Sequence, residues 1–292
     1  MPAETVLSLI TKSAAFFEEK GIDEAKRSAE YLLAHAMGQK RLQLYLRFDQ
    51  PVADDELARF RELVRRRLKH EPVQYLVGTT EFYGMEFAVS PAVLIPRPET
   101  EHLVEAIIDR VRDERLPRTA RILDIGTGSG IIAITLAAQL PEVQVTGIDI
   151  SSAGLDLARE NAARNKVDGR LSLLSHDILL PQLDGVGAPF DIVVSNPPYI
   201  AQSEIETLQP EVRAYEPVAA LTDGGDGLAF YRRMAALLPR LLVPGGMLGV
   251  EIGFGQASEV TAIFAGAGLG DIEIIKDYSG IERVVLGRLI TA

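Results

Sequence analysis

The stretch that decides the fold lies near the middle of the chain and reads Arg121-Ile122-Leu123-Asp124-Ile125-Gly126-Thr127-Gly128-Ser129-Gly130. Its first half is a short apolar run typical of a buried strand, and its second half is a glycine-rich turn before the apolar residues 131–140. A strand, a glycine-rich turn and a helix in this order bring backbone N–H groups close to a ligand at the start of the helix. The stretch therefore predicts a ligand site in an α/β fold.

The chain beyond this stretch alternates between strand and helix patterns. Such alternation is typical of a mostly parallel sheet covered by helices on both faces. The last two strand patterns are joined through Tyr278-Ser279-Gly280, which predicts a hairpin and hence an antiparallel edge strand. We expect an α/β fold with a mostly parallel seven-stranded sheet, whose strands fall at 121–125, 143–149, 171–174, 190–195, 247–252, 272–276 and 283–286.

The chain before residue 100 has a different pattern. Apolar residues recur at helical spacing up to residue 71, which predicts a small N-terminal helical bundle that holds a partner. Residues 72–99 alternate around Gly84 and end in a proline-rich segment, so we expect a linker with a β-hairpin. The expected domains are 1–71, 72–99 and 100–292. Residues 201–227 show little regular pattern and are a candidate lid.

Composition narrows the class of protein. No apolar run approaches the ~20 residues of a membrane span, and the N-terminus lacks the pattern of a secretory signal. The chain has no cysteine, which excludes disulfides and thiolate metal ligands. Its four histidines show no metal-ligand spacing, so no metal site is expected, and His176 is expected at the surface. We expect a cytoplasmic protein without membrane contact.

The net charge of −11 is unevenly distributed. Residues 1–72 contain 13 Lys+Arg against 12 Asp+Glu, which gives +1, and the remainder contains 17 against 29, which gives −12. A groove for nucleic acid phosphates needs the opposite sign, so no stable nucleic acid binding is expected. The basic run Arg65-Arg66-Arg67-Leu68-Lys69 is either a solvated helix face or a contact for an acidic or RNA-bearing partner.

Two aspartates flank the glycine-rich turn. Asp149 ends the second strand, 19 residues after Gly130, where a carboxylate can accept hydrogen bonds from both hydroxyls of a ribose. The glycines also fit the dinucleotide fingerprint, so a nicotinamide oxidoreductase is an alternative. Asp124 argues against it, because its negative charge would oppose a pyrophosphate but suits a cationic amino-acid group.

A second motif, Asn196-Pro197-Pro198-Tyr199, follows the fourth strand. The Asn196 side-chain oxygen and the Pro197 carbonyl can accept both hydrogens of an –NH2 group, and the Tyr199 ring can lie against a flat conjugated group. The motif predicts a clamp for a planar amine or amide, or else a rigid turn without chemistry. Asp177, after the third strand, is either an acceptor for an adenine amino group or a turn cap.

These residues together resemble known methyltransferases. Residues 123–130 resemble the S-adenosylmethionine loop of the Rossmann-like class I enzymes, and Asp149 stands where that class holds the ribose. Asn196-Pro197-Pro198-Tyr199 resembles the motif of enzymes that methylate planar –NH2 nitrogens in adenine, guanine or glutamine. Further segments resemble the peptide-chain release factor glutamine methyltransferases over nearly the whole chain: His70–Gly78, Phe82–Gly84, Leu94–Glu101, Tyr215–Pro217 and Asp223–Leu228.

The resemblance implies a reaction and its residues. The substrate would be the glutamine of the Gly-Gly-Gln loop in class 1 release factors, methylated on N5 by S-adenosylmethionine to leave S-adenosylhomocysteine, and a monomer is expected. Asn196, Pro197 and Tyr199 would be catalytic, and Asn196, Pro197, Pro198 and Tyr199 would bind the substrate. The implied cofactor-binding residues are Asp124, Gly126, Thr127, Gly128, Ser129, Gly130, Asp149, Asp177, Ile178 and Asn196.

Several alternatives remain open. Many relatives carry an aromatic residue where this chain has Ile178, so the packing against adenine is aliphatic here. A related enzyme acts on a ribosomal-protein glutamine, and others act on nucleic-acid amines at adenine N6 or guanine N2. A non-enzymatic nucleotide-sensing module is a further alternative.

Overall fold

The computed structural model describes residues 4–113, 115–183, 185–187 and 189–290. The chain divides into two compact units, one comprising the residues up to Thr79 together with Leu208–Tyr215, and the other Thr80–Thr207 with the residues from Glu216 onward. The helices are α1 (Val6–Glu19), α2 (Ala25–Ala36), α3 (Arg41–Leu44), α4 (Asp54–Arg67), α5 (Val73–Val77), α6 (Thr100–Arg112), α7 (Ile131–Gln139), α8 (Ser152–Arg164), α9 (Pro210–Tyr215), α10 (Ala229–Leu241) and α11 (Ala257–Gly266). The strands are β1 (Thr79–Phe82), β2 (Met85–Ala88), β3 (Arg121–Ile125), β4 (Gln144–Asp149), β5 (Leu171–Ser175), β6 (Phe190–Ser195), β7 (Leu242–Glu251), β8 (Leu269–Lys276) and β9 (Glu282–Leu289).

The first unit is a helical bundle with its own apolar core. Helices α1, α2 and α4 bury one face each, and Phe17, Leu32, Leu33 and Phe60 are almost fully enclosed. Helix α9 also belongs to this unit. Residues 201–227, expected to lack regular structure, therefore contain α9 and two 3-10 turns, each of which is too short to give a recognisable periodicity.

Helix α9 is fastened to the bundle by polar contacts. Its Glu211 forms a 2.7 Å ion pair with the buried Arg67, and the Tyr215 hydroxyl donates to the Lys69 carbonyl at 2.8 Å. Arg67, one residue of the basic run Arg65–Lys69, therefore forms an ion pair inside this unit and is not solvated.

The second unit contains a seven-stranded sheet among its described residues, in the order β5-β4-β3-β6-β7-β9-β8. Pairs from β5 to β7 are parallel, and β9 runs antiparallel to both β7 and β8. The expected α/β fold is confirmed. The antiparallel strand is β9, one position in from the edge, because the terminal hairpin folds back so that β9 pairs with β7 and β8 forms the edge.

Alternating residues of the buried strands supply two apolar layers. In β3, Ile122 contributes to a cluster with α6, α7 and the β1–β2 hairpin, whereas Leu123 contributes to a cluster with α10 and α11. Strand β3 pairs with β4 on one side and β6 on the other, so the strand order reverses there. Ligands of open α/β sheets bind at this reversal, beyond the carboxyl ends of the strands. None of the described helices is long and apolar enough to cross a membrane.

Candidate active site

A cavity of about 410 Å³ lies at the carboxyl ends of the central parallel strands. It brings together residues that are far apart in the sequence, since β3 and β6 are paired with Ile125 opposite Ser195. Most of the predicted site residues line this cavity: Gly126, Thr127, Gly128, Ser129, Asp149, Asp177, Ile178, Asn196, Pro197 and Pro198. Asp124, Gly130 and Tyr199 are close to it in the chain but are not part of its lining.

The glycine turn requires backbone conformations that other residues rarely adopt. Gly126 and Gly128 have φ of 73° and 54°, in the left-handed region. Gly130 has φ of 83°, and a Cβ there would lie 2.7 Å from Ile134 Cδ1. The turn therefore depends on glycine for its shape and for its close packing against α7.

Asp149 is held by the backbone on both sides. Its Oδ2 accepts from the Gly128 N–H and its Oδ1 from the Ser151 N–H, both at 2.8 Å. Each carboxylate oxygen has a second lone pair, so two ligand hydroxyls can still bind. The carboxylate is thus fixed in place before any ligand arrives.

Asp124 is fully buried beneath the glycine turn. Its Oδ2 accepts from Thr127 Oγ1 at 2.6 Å and from the Ala133 N–H at 3.3 Å, whereas its Oδ1 has no hydrogen-bond partner among the described residues. Burial raises the pKa of Asp124 to about 7, with a small further rise from Asp149 and opposing hydrogen bonds from Thr127 and Ala133. An unpaired buried carboxylate oxygen is costly unless a donor meets it, so this atom suits a ligand cation.

A buried asparagine ties the glycine turn to the hairpin. Asn161 of α8 accepts from the Ala88 N–H at 2.7 Å, and its Nδ2 donates to the Ala88 and Ser129 carbonyls at 3.0 and 2.9 Å. The hairpin is therefore part of the support of the cavity wall. The sequence gives no pattern that singles out this asparagine.

Three residues after β5 form another part of the wall. Asp177 Oδ1 accepts from the Leu179 N–H at 2.8 Å, which is a turn cap, and the same side chain lines the cavity. Ile178 is 4% exposed and also lines it. The expectation for His176 was wrong, because the residue is half-buried, lines the cavity and has a buried Nε2 with no partner in the described part of the chain.

The second motif follows β6. Asn196 lines the cavity, and its Nδ2 donates to Thr100 Oγ1 at 3.1 Å. Tyr199 packs against the apolar cluster of α10 and α11, and its hydroxyl donates to Glu251 Oε1 at 3.2 Å. Burial, followed by the nearby charge of Glu251, raises the pKa of the Tyr199 hydroxyl further above its usual value. The use of its ring against a substrate amide stays a prediction.

The buried Glu251 could not be predicted as a site residue from the sequence. It ends β7 beside Asn196 and accepts from Thr100 Oγ1 at 2.5 Å, and burial raises its pKa to about 7. A single acidic residue at the end of an apolar strand carries no signal of its own in a sequence. Perturbed buried carboxyls next to a cavity are typical of functional sites.

An ion pair explains two of the motifs that carry the family resemblance. Arg97, which lines the cavity, binds Glu216 at 2.5 Å, and the Ile95 N–H also donates to this carboxylate at 3.3 Å. Pro217, next to Glu216, lines the cavity as well. The proline-rich segment before α6 and the Tyr-Glu-Pro segment are thus joined at the cavity wall.

Comparisons with known proteins find relatives over nearly the whole chain. Residues 8–78 match the family model described as PrmC N-terminal domain, and residues 100–229 match Methyltransferase small domain. The chain is 45% identical to "Release factor glutamine methyltransferase" of Geobacter sulfurreducens, covering 98% of this chain and 97% of that protein. It is also 45% identical to the protein of the same name in Chlorobaculum tepidum, covering 97% and 98%.

Solved structures support the fold alone. A methyltransferase from Pyrococcus furiosus aligns with a TM-score of 0.52 at 17% identity, covering 72% of this chain and 91% of that one. The hMettl16 catalytic domain, in complex with an RNA hairpin, aligns with a TM-score of 0.55 at 16% identity, covering 72% and 77%.

Proposed function

Because the chain belongs to the release factor glutamine methyltransferase family, we propose that it methylates N5 of the glutamine in the Gly-Gly-Gln motif of class 1 release factors, with S-adenosylmethionine as donor. The observation that carries this proposal is the single cavity lined by both the glycine turn and the Asn196-Pro197-Pro198 turn. A direct transfer requires a donor site and an amide clamp within one cavity.

The residues present suit this cofactor. The unpaired buried Oδ1 of Asp124 suits the ammonium group, the fixed Asp149 suits the ribose hydroxyls, and Ile178 offers an apolar surface to the adenine. Asp177, which lines the cavity, is the proposed acceptor for the adenine amino group. When bound, S-adenosylmethionine supplies a methyl group on a positively charged sulfur.

The clamp addresses the low nucleophilicity of an amide. The nitrogen lone pair of the substrate glutamine is delocalised into its carbonyl. Asn196 Oδ1 and the Pro197 carbonyl each accept one N–H, which fixes the nitrogen in place. Both hydrogen bonds strengthen as positive charge develops on that nitrogen, so the clamp stabilises the transition state more than the ground state. The N–H becomes acidic during transfer, and no strong base is needed beforehand.

The N-terminal helices are the part of the chain proposed to recognise the release factor. Residues 1–71 are the substrate-recognition domain, joined in the helical unit by α9, 72–99 are the linker, and 100–292 apart from α9 are the catalytic domain. The chain acts as a cytoplasmic monomer on the release factor. The excess of acidic residues after residue 72 supports a protein substrate over a nucleic acid one.

The test is methylation of a purified class 1 release factor with isotopically labelled S-adenosylmethionine. We expect one added methyl group, located by mass spectrometry on the Gly-Gly-Gln glutamine, and none on a release factor in which that glutamine is replaced by alanine. Ribosomal proteins and DNA serve as competing acceptors in parallel reactions. Label on a ribosomal protein or on DNA, with the release factor unmodified, would replace the proposed substrate.

A further inference from the structure

Glu251 is a buried carboxylate that is held mainly by hydroxyl groups. It is 1% exposed, and Arg283, a cation whose field reaches it, pairs instead with Asp277 at 3.0 Å. Thr100 Oγ1 donates to Glu251 Oε2 at 2.5 Å and the Tyr199 hydroxyl donates to Oε1 at 3.2 Å. Burial of a carboxylate without a paired cation is costly, and an apolar residue would pack β7 at lower cost.

The carboxylate decides the direction of the hydrogen bonds that lead to Asn196. A threonine hydroxyl has one hydrogen. Above pH 7, where Glu251 is ionised, its carboxylate can only accept a hydrogen bond. Since Thr100 gives its hydrogen to Glu251, its oxygen must act as the acceptor toward Asn196, whose Nδ2 donates to it at 3.1 Å. The NH2 group of the Asn196 amide therefore donates to Thr100, and Oδ1 faces away from Thr100.

The direction of this amide matters for the clamp. The oxygen and nitrogen ends of an asparagine amide have nearly the same shape, so the surroundings decide which end faces a ligand. In the reversed orientation Asn196 would present N–H donors to the N–H groups of a substrate amide. The clamp can accept those hydrogens in one orientation only.

The same carboxylate supports the far end of the motif. Tyr199 is anchored by its hydroxyl to Glu251 and by its carbonyl to Gln256, whose Nε2 donates at 2.9 Å. Both residues belong to the end of β7 and the turn after it. Two members of the motif after β6 are thus held from the neighbouring strand.

We propose that Glu251 is a positioning residue for the transfer, which acts through Thr100 to keep Asn196 Oδ1 turned toward the substrate nitrogen. The inference rests on the proposed function for its substrate. It assigns to Glu251 no contact with substrate or cofactor, so its removal should lower turnover and leave binding intact.

The kinetic test compares Glu251→Gln with Tyr231→Phe. Glutamine keeps the shape of Glu251 but has a donor and an acceptor, so it no longer dictates the direction of the Thr100 hydroxyl. We expect kcat for release factor methylation to fall about tenfold to a hundredfold, with KM and the Kd for S-adenosylhomocysteine within about twofold of wild type. Tyr231→Phe removes the 2.9 Å hydrogen bond to the Glu251 backbone carbonyl, and kcat should be unchanged.

Thr100 variants separate positioning from a general structural effect. Thr100→Val should lower kcat as Glu251→Gln does, whereas Thr100→Ser, which keeps the hydroxyl, should have the wild-type kcat. The double variant Thr100→Val with Glu251→Gln should be no slower than either single variant, because both act through one chain of hydrogen bonds. Additive losses, or an unchanged kcat in Glu251→Gln, would overturn the proposal. Thr100→Val carries the same test if Glu251→Gln does not fold.

A readout that does not depend on activity keeps the two proposals distinct. The side-chain NH2 signals of Asn196 in a ¹H–¹⁵N spectrum, identified by their loss in Asn196→Asp, should move in Glu251→Gln and stay in place in Tyr231→Phe. Signals that do not move in Glu251→Gln refute the positioning role. If the wild-type enzyme does not methylate the release factor but the Asn196 signals move in Glu251→Gln, the proposed substrate is refuted and the positioning role is retained.

Discussion

Arg97 and Glu216 form a 2.5 Å ion pair in which the two side chains have very different exposure, 30% for the arginine and 1% for the glutamate. The pair joins the segment before α6 to the segment before Pro217, and both Arg97 and Pro217 line the cavity. The difference in exposure leads to an asymmetric prediction.

Removal of the arginine should cost more stability than removal of the glutamate charge. Arg97→Met leaves a buried carboxylate without its partner and should lower the free energy of unfolding by about 3–5 kcal/mol. Glu216→Gln leaves an arginine that water still reaches and should cost about 1–3 kcal/mol. Urea denaturation measures both, with Asp156→Asn at the exposed Arg159 pair as a control expected within about 0.5 kcal/mol of wild type. Equal losses at Arg97 and Glu216 would show that burial does not govern this pair.

Asn196→Ala should separate binding from turnover. The variant loses one of the two acceptors proposed for the substrate amide, so kcat should fall about 10²- to 10³-fold. Calorimetry should show that the Kd for S-adenosylhomocysteine changes much less than kcat, because the other implied cofactor-binding residues remain. Asn165→Ala, at a half-buried asparagine of the same unit that is not part of the cavity lining, should retain wild-type turnover. Near-normal kcat in Asn196→Ala would end the clamp proposal.

The stability of the ligand-free protein should decrease as the pH rises from 4 to 7. Burial raises the pKa of Asp124 from its ordinary value of 3.8 to about 7, so in that range the folded state binds a proton that the unfolded chain has released. The contribution of Asp124 to the free energy of unfolding is complete below its unfolded pKa and is lost as the pH rises through 7. The free energy of unfolding falls by up to about 1.4 kcal/mol per pH unit in this range. Asp124→Asn should flatten this slope, as measured by chemical denaturation across the range. Glu251, whose pKa is raised in the same direction, contributes to the slope that remains.

Ligand affinity should follow the opposite trend with pH. An ammonium group of S-adenosylhomocysteine near Asp124 favours the ionised carboxylate, so the Kd should tighten as the pH rises from 6 to 8, by up to about tenfold per unit. Asp124→Asn should bind more weakly and without this dependence. Titration calorimetry in two buffers checks the accompanying proton release. A pH-independent Kd in the wild type would place the ammonium group elsewhere.

Gly128→Ala should weaken both the fold and the cofactor site. A residue with a side chain adopts the φ of 54° at a cost of about 1–2 kcal/mol. A backbone shift that relieves this strain would disturb the hydrogen bond from the residue 128 N–H to Asp149. Gly169 is the matched control, because its φ is not in the left-handed region and a Cβ there meets nothing within 4 Å. Gly169→Ala should be neutral or slightly stabilising. Thermal unfolding with and without S-adenosylhomocysteine measures both effects, and equal responses of the two variants would refute the strain argument.

Local sequence determined much of this protein. Apolar runs and glycine turns are set by neighbours in the chain, so the strands, the β1–β2 hairpin and the glycine turn before α7 were predictable from residue types. The ends of β3, β4 and β6 also indicated which side chains meet in the cavity, because parallel strands present their carboxyl ends at one edge of the sheet.

The tertiary structure decided what depends on distant partners. The position of β9 inside the sheet edge, the membership of α9 in the helical unit and the buried pair of Arg97 and Glu216 each require contacts between segments far apart in the chain. The same holds for Glu251, which has no pattern around it and meets Tyr199 only when β7 lies beside β6. The sequence by itself determined the motif residues of the site. The structure decided what orients them, because a hydrogen bond between strands leaves no periodic trace in the sequence.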